Sequence, residues 1–253
     1  MRWRENVIRG SASVSGKLTE ALPGLLFPRR CPVCDDIVMP KGELCCPACR
    51  SLLSYVREPV CMKCGKEISD GTEEYCSDCR KHRRTFEYAI SVFNYTDIAS
   101  DSLSAIKYKN RREYLDFYAE EAVRRRGERL LSIHADCMIP VPVHPARLRK
   151  RGFNQAALLA EKIGEKLNIP VEENFLRRNR NTAPQKVLGP AERLKNLQQA
   201  FTTDKDAPEW MRRVILVDDI YTTGATAEAC TRVLRASGVE KVYVFTICVG
   251  AGD

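Results

Sequence analysis

Two groups of residues in this 253-residue chain are spaced for chemistry. The first runs Val214-Ile-Leu-Val-Asp218-Asp219-Ile-Tyr221-Thr222-Thr223-Gly224-Ala225-Thr226. Its four leading apolar residues read as a short buried strand. The two carboxylates come where that strand should end, at the carboxyl edge where open α/β sheets take their ligands. Thr222, Thr223, Gly224 and Thr226 then lead into a helical run, Ala225 to Ala236, so that backbone N–H groups and hydroxyls can surround a phosphate at the helix N-terminus. The chemistry implied is the binding of a sugar phosphate. A helix cap alone would need one acid, not a whole ordered run.

The second group is a set of thiols. Of twelve cysteines, eight form Cys31-x2-Cys34, Cys46-x2-Cys49, Cys61-x2-Cys64 and Cys76-x2-Cys79, an internal repeat with a period of 30 residues. Each pair sits on a tight turn suited to tetrahedral zinc. A disulfide framework is the alternative, and a reducing cytoplasm disfavours it. The simplest assignment is one zinc per repeat, although the pairs could interleave between two sites. Cys45 is either a bystander or a substitute ligand for Cys46. With no histidine between residues 31 and 80, the thiolate sites read as closed and structural. A module this small has a thin core and needs metal to fold.

These groups require elements to hold them. The composition divides the chain into an N-terminal helical segment (1–30), a cysteine-rich module (31–85) and an α/β domain (86–253). Leu18, Ala21, Leu22, Leu25 and Leu26 give the first segment one apolar face before Pro28. In the α/β domain, strands are expected at Ala89–Tyr95, in Asp136–Val143 and at Lys241–Val249, the last beside the Asp218 strand in a parallel sheet. Helices are expected over Ile98–Tyr108, around Leu115, Phe117 and Tyr118, and from a cap at Asn154 to Leu167. Residues 171–213 look irregular, with 202–209 a linker, and Cys137, Cys230 and Cys248 read as small core residues. Arg147, Arg149, Lys150 and Arg151 form a dense anion site, and Lys107, Lys109, Arg111 and Arg112 a second basic cluster. The net charge of +8 favours anionic partners. No apolar run approaches the ~18 residues of a membrane span, and the first sixteen residues lack a signal-peptide core. These features predict a cytoplasmic protein without stable membrane insertion. No Gly-x-Gly-x-x-Gly follows any expected strand, which makes a dinucleotide-binding enzyme a poor reading.

The Asp218-Asp219-x2-Thr222-Thr223-Gly224 stretch resembles the phosphoribosyl pyrophosphate (PRPP) signature of type I phosphoribosyltransferases. Taken with the Cys-x2-Cys start, Pro140-Val-Pro-Val-His144-Pro145 and Arg151-Gly-Phe-Asn-Gln155, in this order, it is similar to the ComF family of bacterial competence proteins. The resemblance implies a type I phosphoribosyltransferase-like parallel sheet flanked by helices, preceded by a small zinc-ribbon-like module with two four-cysteine sites. It further implies that Asp218 and Asp219 bind ribose hydroxyls and that Tyr221, Thr222, Thr223, Gly224, Ala225 and Thr226 hold the 5-phosphate. Val141, Val143 and His144 would form a pyrophosphate loop, with Arg147, Arg149 and Arg151 near the phosphates. Thr182, Gln185, Arg193 and Asn196 would belong to a flexible closing loop. Two structural zinc ions and magnesium with PRPP are the implied cofactors. The implied partners are PRPP or another phosphorylated ribose, single-stranded DNA and other DNA-uptake proteins. The expected role is PRPP-type binding in DNA uptake, with two alternatives: an active phosphoribosyltransferase for an amine or base, and an adaptor working through its zinc module. A glutaminase half, as in a glutamine-dependent amidophosphoribosyltransferase, is not expected within these 253 residues.

Overall fold

A computed structural model describes residues 28–178 and 199–251. The apolar face expected around Leu18–Leu26 and the closing-loop residues Thr182, Gln185, Arg193 and Asn196 lie outside the described residues.

The period of 30 is a structural repeat. In each unit the first cysteine of the first pair closes a turn: Asp35 N–H donates to Cys31 O at 3.0 Å, and Gly65 N–H to Cys61 O at 2.9 Å. The second pair starts a short helix in each unit, α1 (Pro47–Arg50) and α2 (Ser77–Lys81). Even a surface pair is repeated, Arg50 with Glu43 at 3.4 Å and Arg80 with Glu73 at 2.5 Å.

The α/β domain follows as β1 (Ala89–Asn94), α3 (Asp97–Lys109), α4 (Tyr114–Leu131), β2 (Cys137–Pro140), α5 (Pro145–Arg151), α6 (Gln155–Leu167), β3 (Leu176–Arg178), β4 (Phe201–Thr203), β5 (Arg213–Tyr221), α7 (Ala225–Ala236) and β6 (Lys241–Val249). Four of the strands form a sheet in the order β1-β6-β5-β2, with every pairing parallel. Helices cover both faces, so β1 is buried along nearly its whole length. One face packs Ile215, Val217 and Phe245 against Leu103, Leu115, Phe117 and Leu159. The other packs Leu216, Val242 and Val244 against Ala229, Cys230 and Leu234 of α7. Each core also takes in one cysteine unit: Cys31, Val38, Cys45 and Leu53 join the first face, and Cys61, Cys64, Ile68 and Cys76 the second.

Two expectations change. Residues 171–213 are not irregular throughout, because β3 and β4 pair antiparallel, which puts Thr202 and Thr203 in a strand and not a linker. Both strands are three residues long, too short for a period to register. Moreover, β5 does not stop at the acids. It continues with Ile220 opposite Cys248 and Tyr221 opposite Val249, because the apolar end of β6 offers it a partner that far.

Candidate functional site

In each cysteine unit four thiols converge. The Sγ atoms of Cys31, Cys34, Cys46 and Cys49 all lie within 4.8 Å of one another, as do those of Cys61, Cys64, Cys76 and Cys79. Four such sulfurs fit a tetrahedral zinc site of structural type, and each set comes from a single repeat, which settles the ligand pairing against interleaving. Cys45 is not in the first set. Its thiol lies 3.7 Å from Cys31 Sγ, is fully buried, and is pushed up in pKa chiefly by that burial.

Asp218 and Asp219 lie near the carboxyl end of β5, on opposite sides of the sheet as strand alternation requires. Asp219 is buried, 6% exposed, and three residues from separate elements surround it. The Lys107 ammonium at the end of α3 forms an ion pair with it. Gln155, first residue of α6, donates Nε2–H to its Oδ1 at 3.2 Å, and Arg151 in turn donates to the Gln155 side-chain oxygen. Burial alone would raise the Asp219 pKa, but the Lys107 charge together with hydrogen bonds from Lys107, Asp218 and Gln155 outweighs it and holds the carboxyl below its ordinary value. Asp218 goes the other way. The surrounding protein and the Asp219 charge push its pKa well above the ordinary carboxylate value. The two acids of the pair are therefore shifted in opposite directions.

The run from Arg151 to Gln155 works as a bracket. Gly152, at φ +82°, ends α5 in a conformation that favours glycine. Phe153 packs under the Arg112 guanidinium, 4.3 Å from the ring centre. Asn154 accepts from Ala156 N–H at 3.1 Å to cap α6, and its Nδ2 donates to Val141 O at 3.1 Å, anchoring the loop after β2. Sequence reasoning found the cap but missed that Gln155 and Lys107 converge on Asp219. Their meeting depends on how α3 and α6 pack on β5, and no local spacing records it.

After Tyr221 comes the turn. A narrow cavity of about 40 Å³ is lined by Val141, Asp218 and residues 220–227 among others. Gly224 has φ +73°, and a Cβ there would overlap the Tyr221 ring. Among the described residues the buried Tyr221 hydroxyl has no hydrogen-bond partner. That orphaned donor and the glycine cradle suit a phosphate oxygen, so the residues fit the group the resemblance implies. The other expected residues divide between two clefts. Val143 lines one of about 580 Å³ with Phe153, Glu161 and Arg178. Arg147 and Arg151 line another of about 340 Å³ with Lys107, Tyr108 and Lys150, beside Asp219. Arg149 lines neither cleft, and His144 caps α5, its Nδ1 accepting from Ala146 N–H at 3.1 Å.

The chain joins an α/β domain built on a four-stranded parallel sheet to a module with two four-cysteine clusters of zinc-ribbon type. The family model described as a double zinc ribbon domain matches residues 22–80. Among curated relatives, competence protein F of Haemophilus influenzae is 39% identical over 44% of this chain and 48% of its own length. Competence protein ComFC of Bacillus subtilis is 32% identical over 62% of each. The DNA utilization protein YhgH of Escherichia coli K12 is 28% identical over 63% of this chain and 70% of its own length. The chain is thus similar to competence proteins of the ComF type, although its match spans only about half the length of the H. influenzae relative. Among solved structures, a purine phosphoribosyltransferase from Pyrococcus horikoshii is 14% identical over 53% of this chain and 86% of its own, with a TM-score of 0.32. At that score the likeness carries no argument, and the fold assignment rests on the sheet topology. No helix among the described residues is long and apolar enough to cross a membrane.

Proposed function

We propose that this protein binds PRPP, or another phosphorylated ribose, together with magnesium, and acts in DNA uptake or a related handling of nucleic acid. The observation that carries this reading is the acid pair held beside the Tyr221–Thr226 turn, with Asp219 fixed by Lys107 and Gln155. Asp218 and Asp219 would take the ribose hydroxyls and the turn the 5-phosphate. Magnesium, when bound, would supply positive charge to the pyrophosphate. The names of the competence relatives support the biological role. The basic cleft of Lys107, Arg147, Lys150 and Arg151 suits polyanions, single-stranded DNA included.

A second reading, phosphoribosyl transfer to an amine or base, is favoured by the same cleft. Four cations beside Asp219 are placed to stabilise a departing pyrophosphate as C1 gains positive character.

The test is calorimetric titration of zinc-replete protein with PRPP and magnesium. Asp218→Asn with Asp219→Asn should abolish binding while leaving the protein folded; unchanged affinity would overturn the assignment. Binding should also depend on pH with a definite sign. As pH rises above the ordinary value of 3.8 through the raised pKa of Asp218, the carboxylate forms and affinity should increase. Stability should fall across the same window, because a raised folded-state pKa contributes stability that is lost on deprotonation. Asp218→Asn should flatten both profiles. Release of pyrophosphate in the presence of an acceptor would establish transfer.

A further inference from the structure

The second cysteine unit is built against the turn that follows β5. Arg84, five residues past Cys79, has a side chain only 9% exposed. Its guanidinium donates to Asp78 Oδ2 at 2.8 Å and to the carbonyl oxygen of Thr223 at 2.8 Å. Asp78 lies in α2, between ligands Cys76 and Cys79. One side chain thus spans from the cysteine cluster to the middle of the turn.

Neighbouring contacts reinforce the span. Thr85 N–H donates to Glu228 Oε2 at 2.8 Å, in the first turn of α7, and Glu228 is almost wholly buried. The ring of Phe86 meets that of Tyr221 edge-on, with centroids 6.2 Å apart. Lys63, between Cys61 and Cys64, donates to Glu87 O at 2.9 Å and lies over the Phe86 ring. Contacts from residues 84–86 therefore reach the turn's start (Tyr221), its middle (Thr223) and the helix that leaves it (Glu228).

The consequence follows from peptide geometry. A trans peptide is planar, with C=O and N–H pointing in opposite directions. A donor that fixes the Thr223 carbonyl therefore fixes where the Gly224 N–H aims. Gly224, at φ +73°, has no Cβ to restrain its conformation, so the Arg84 contact supplies a restraint the residue itself lacks.

We propose that Arg84 is a positioning residue that ties the Thr222–Thr226 turn to the metal-bound second cysteine cluster, so that anion binding at the turn depends on that cluster and not on the first. This rests on the reading of the turn as a phosphate site. The first cluster offers a matched control. Its Asp35 is bonded by Arg111 at 3.2 Å, on the opposite face of the sheet.

Two measurements on the full, zinc-replete chain test it. In the first, PRPP with magnesium is titrated into wild type, Arg84→Met, Arg84→Lys and Arg111→Met, with zinc content measured on each. Arg84→Met should weaken binding about tenfold with zinc retained, Arg84→Lys should recover part of the loss, and Arg111→Met should stay within about twofold of wild type. Equal losses in Arg84→Met and Arg111→Met, or none in either, would overturn the proposal. If Arg84→Met loses zinc, Asp78→Asn carries the same test. In the second, amide exchange is followed at residues 222–226 without ligand. Faster exchange there in Arg84→Met, and not in Arg111→Met, is the expected result; unchanged exchange overturns the proposal. If wild type fails to bind PRPP, the phosphate reading fails, and the exchange measurement still decides whether Arg84 positions the turn.

Discussion

The two cysteine units share a period, a ligand set and a turn geometry, yet they join the sheet in different ways, and one position of the repeat shows why. Residue 35 in the first unit and residue 65 in the second occupy the same place after a Cys-x2-Cys pair, and both have left-handed backbone, φ +57° and +71°. In the first unit the residue is Asp, one of the side chains that tolerate this region. It reaches outward to the Tyr114 hydroxyl at 2.5 Å and to Arg111 at 3.2 Å. In the second it is Gly, and a Cβ would come within 2.7 Å of Ala89 O, so the backbone of the turn rests directly on β1. The first unit is held by side chains that reach across to α4 and its approach. The second is docked backbone to backbone, with Ala89 N–H donating to Lys63 O at 2.8 Å. The same fold element thus serves once as a tethered cover and once as part of the wall behind the turn that follows β5.

The sharpest way to break this comparison is to remove metal from one unit at a time. Cys46→Ser and Cys76→Ser should each lose one zinc equivalent by elemental analysis, with a stability cost on the order of 4 kcal/mol in denaturant titration. Only Cys76→Ser should also impair PRPP binding. Equal impairment by both would mean the units are interchangeable after all. The next effect comes from the paired position. Gly65→Ala should destabilise by more than the ~1–2 kcal/mol of left-handed backbone strain, since Ala89 must also move. Asp35→Gly should cost only about 1 kcal/mol, because a half-exposed ion pair is lost while the backbone is relieved. Thermal melts of the two variants would show whether the asymmetry holds. The smallest effect is expected at Cys45. Cys45→Ser should leave zinc content unchanged and cost about 1–3 kcal/mol for a buried hydroxyl short of partners.

Much of this arrangement was legible in the chain. The repeat could be read because thiol spacing is set locally by the turns that present metal ligands, and the structure keeps it in phase even for Arg50 and Arg80. The β5 strand and its glycine turn were equally plain, since apolar run, acids and Thr-Thr-Gly are contiguous. What escaped was convergence between distant segments. Lys107 looked like one member of a basic cluster, and only the packing of α3 brings it to Asp219. Gln155 lay inside a motif already singled out, but its bond to a residue 64 positions away has no local signature. Arg84 meets the Thr223 carbonyl 139 positions away, and nothing near it in the chain marks that contact. The difference between Asp35 and Gly65 was visible as letters and gained meaning only once the neighbour of each was known.

A last consequence concerns the segment joining the two cysteine units. Ser54 to Val56 runs antiparallel along β1, with Val56 N–H on Val92 O at 3.0 Å and Asn94 N–H on Ser54 O at 2.7 Å. It closes the edge of the sheet that β6 leaves open. An uncovered edge strand is a template for pairing with another chain. Stripping the metals would loosen both anchors of this strip together, and the first sign of zinc loss in a preparation would then be colloidal, with turbidity appearing before the sheet itself unfolds.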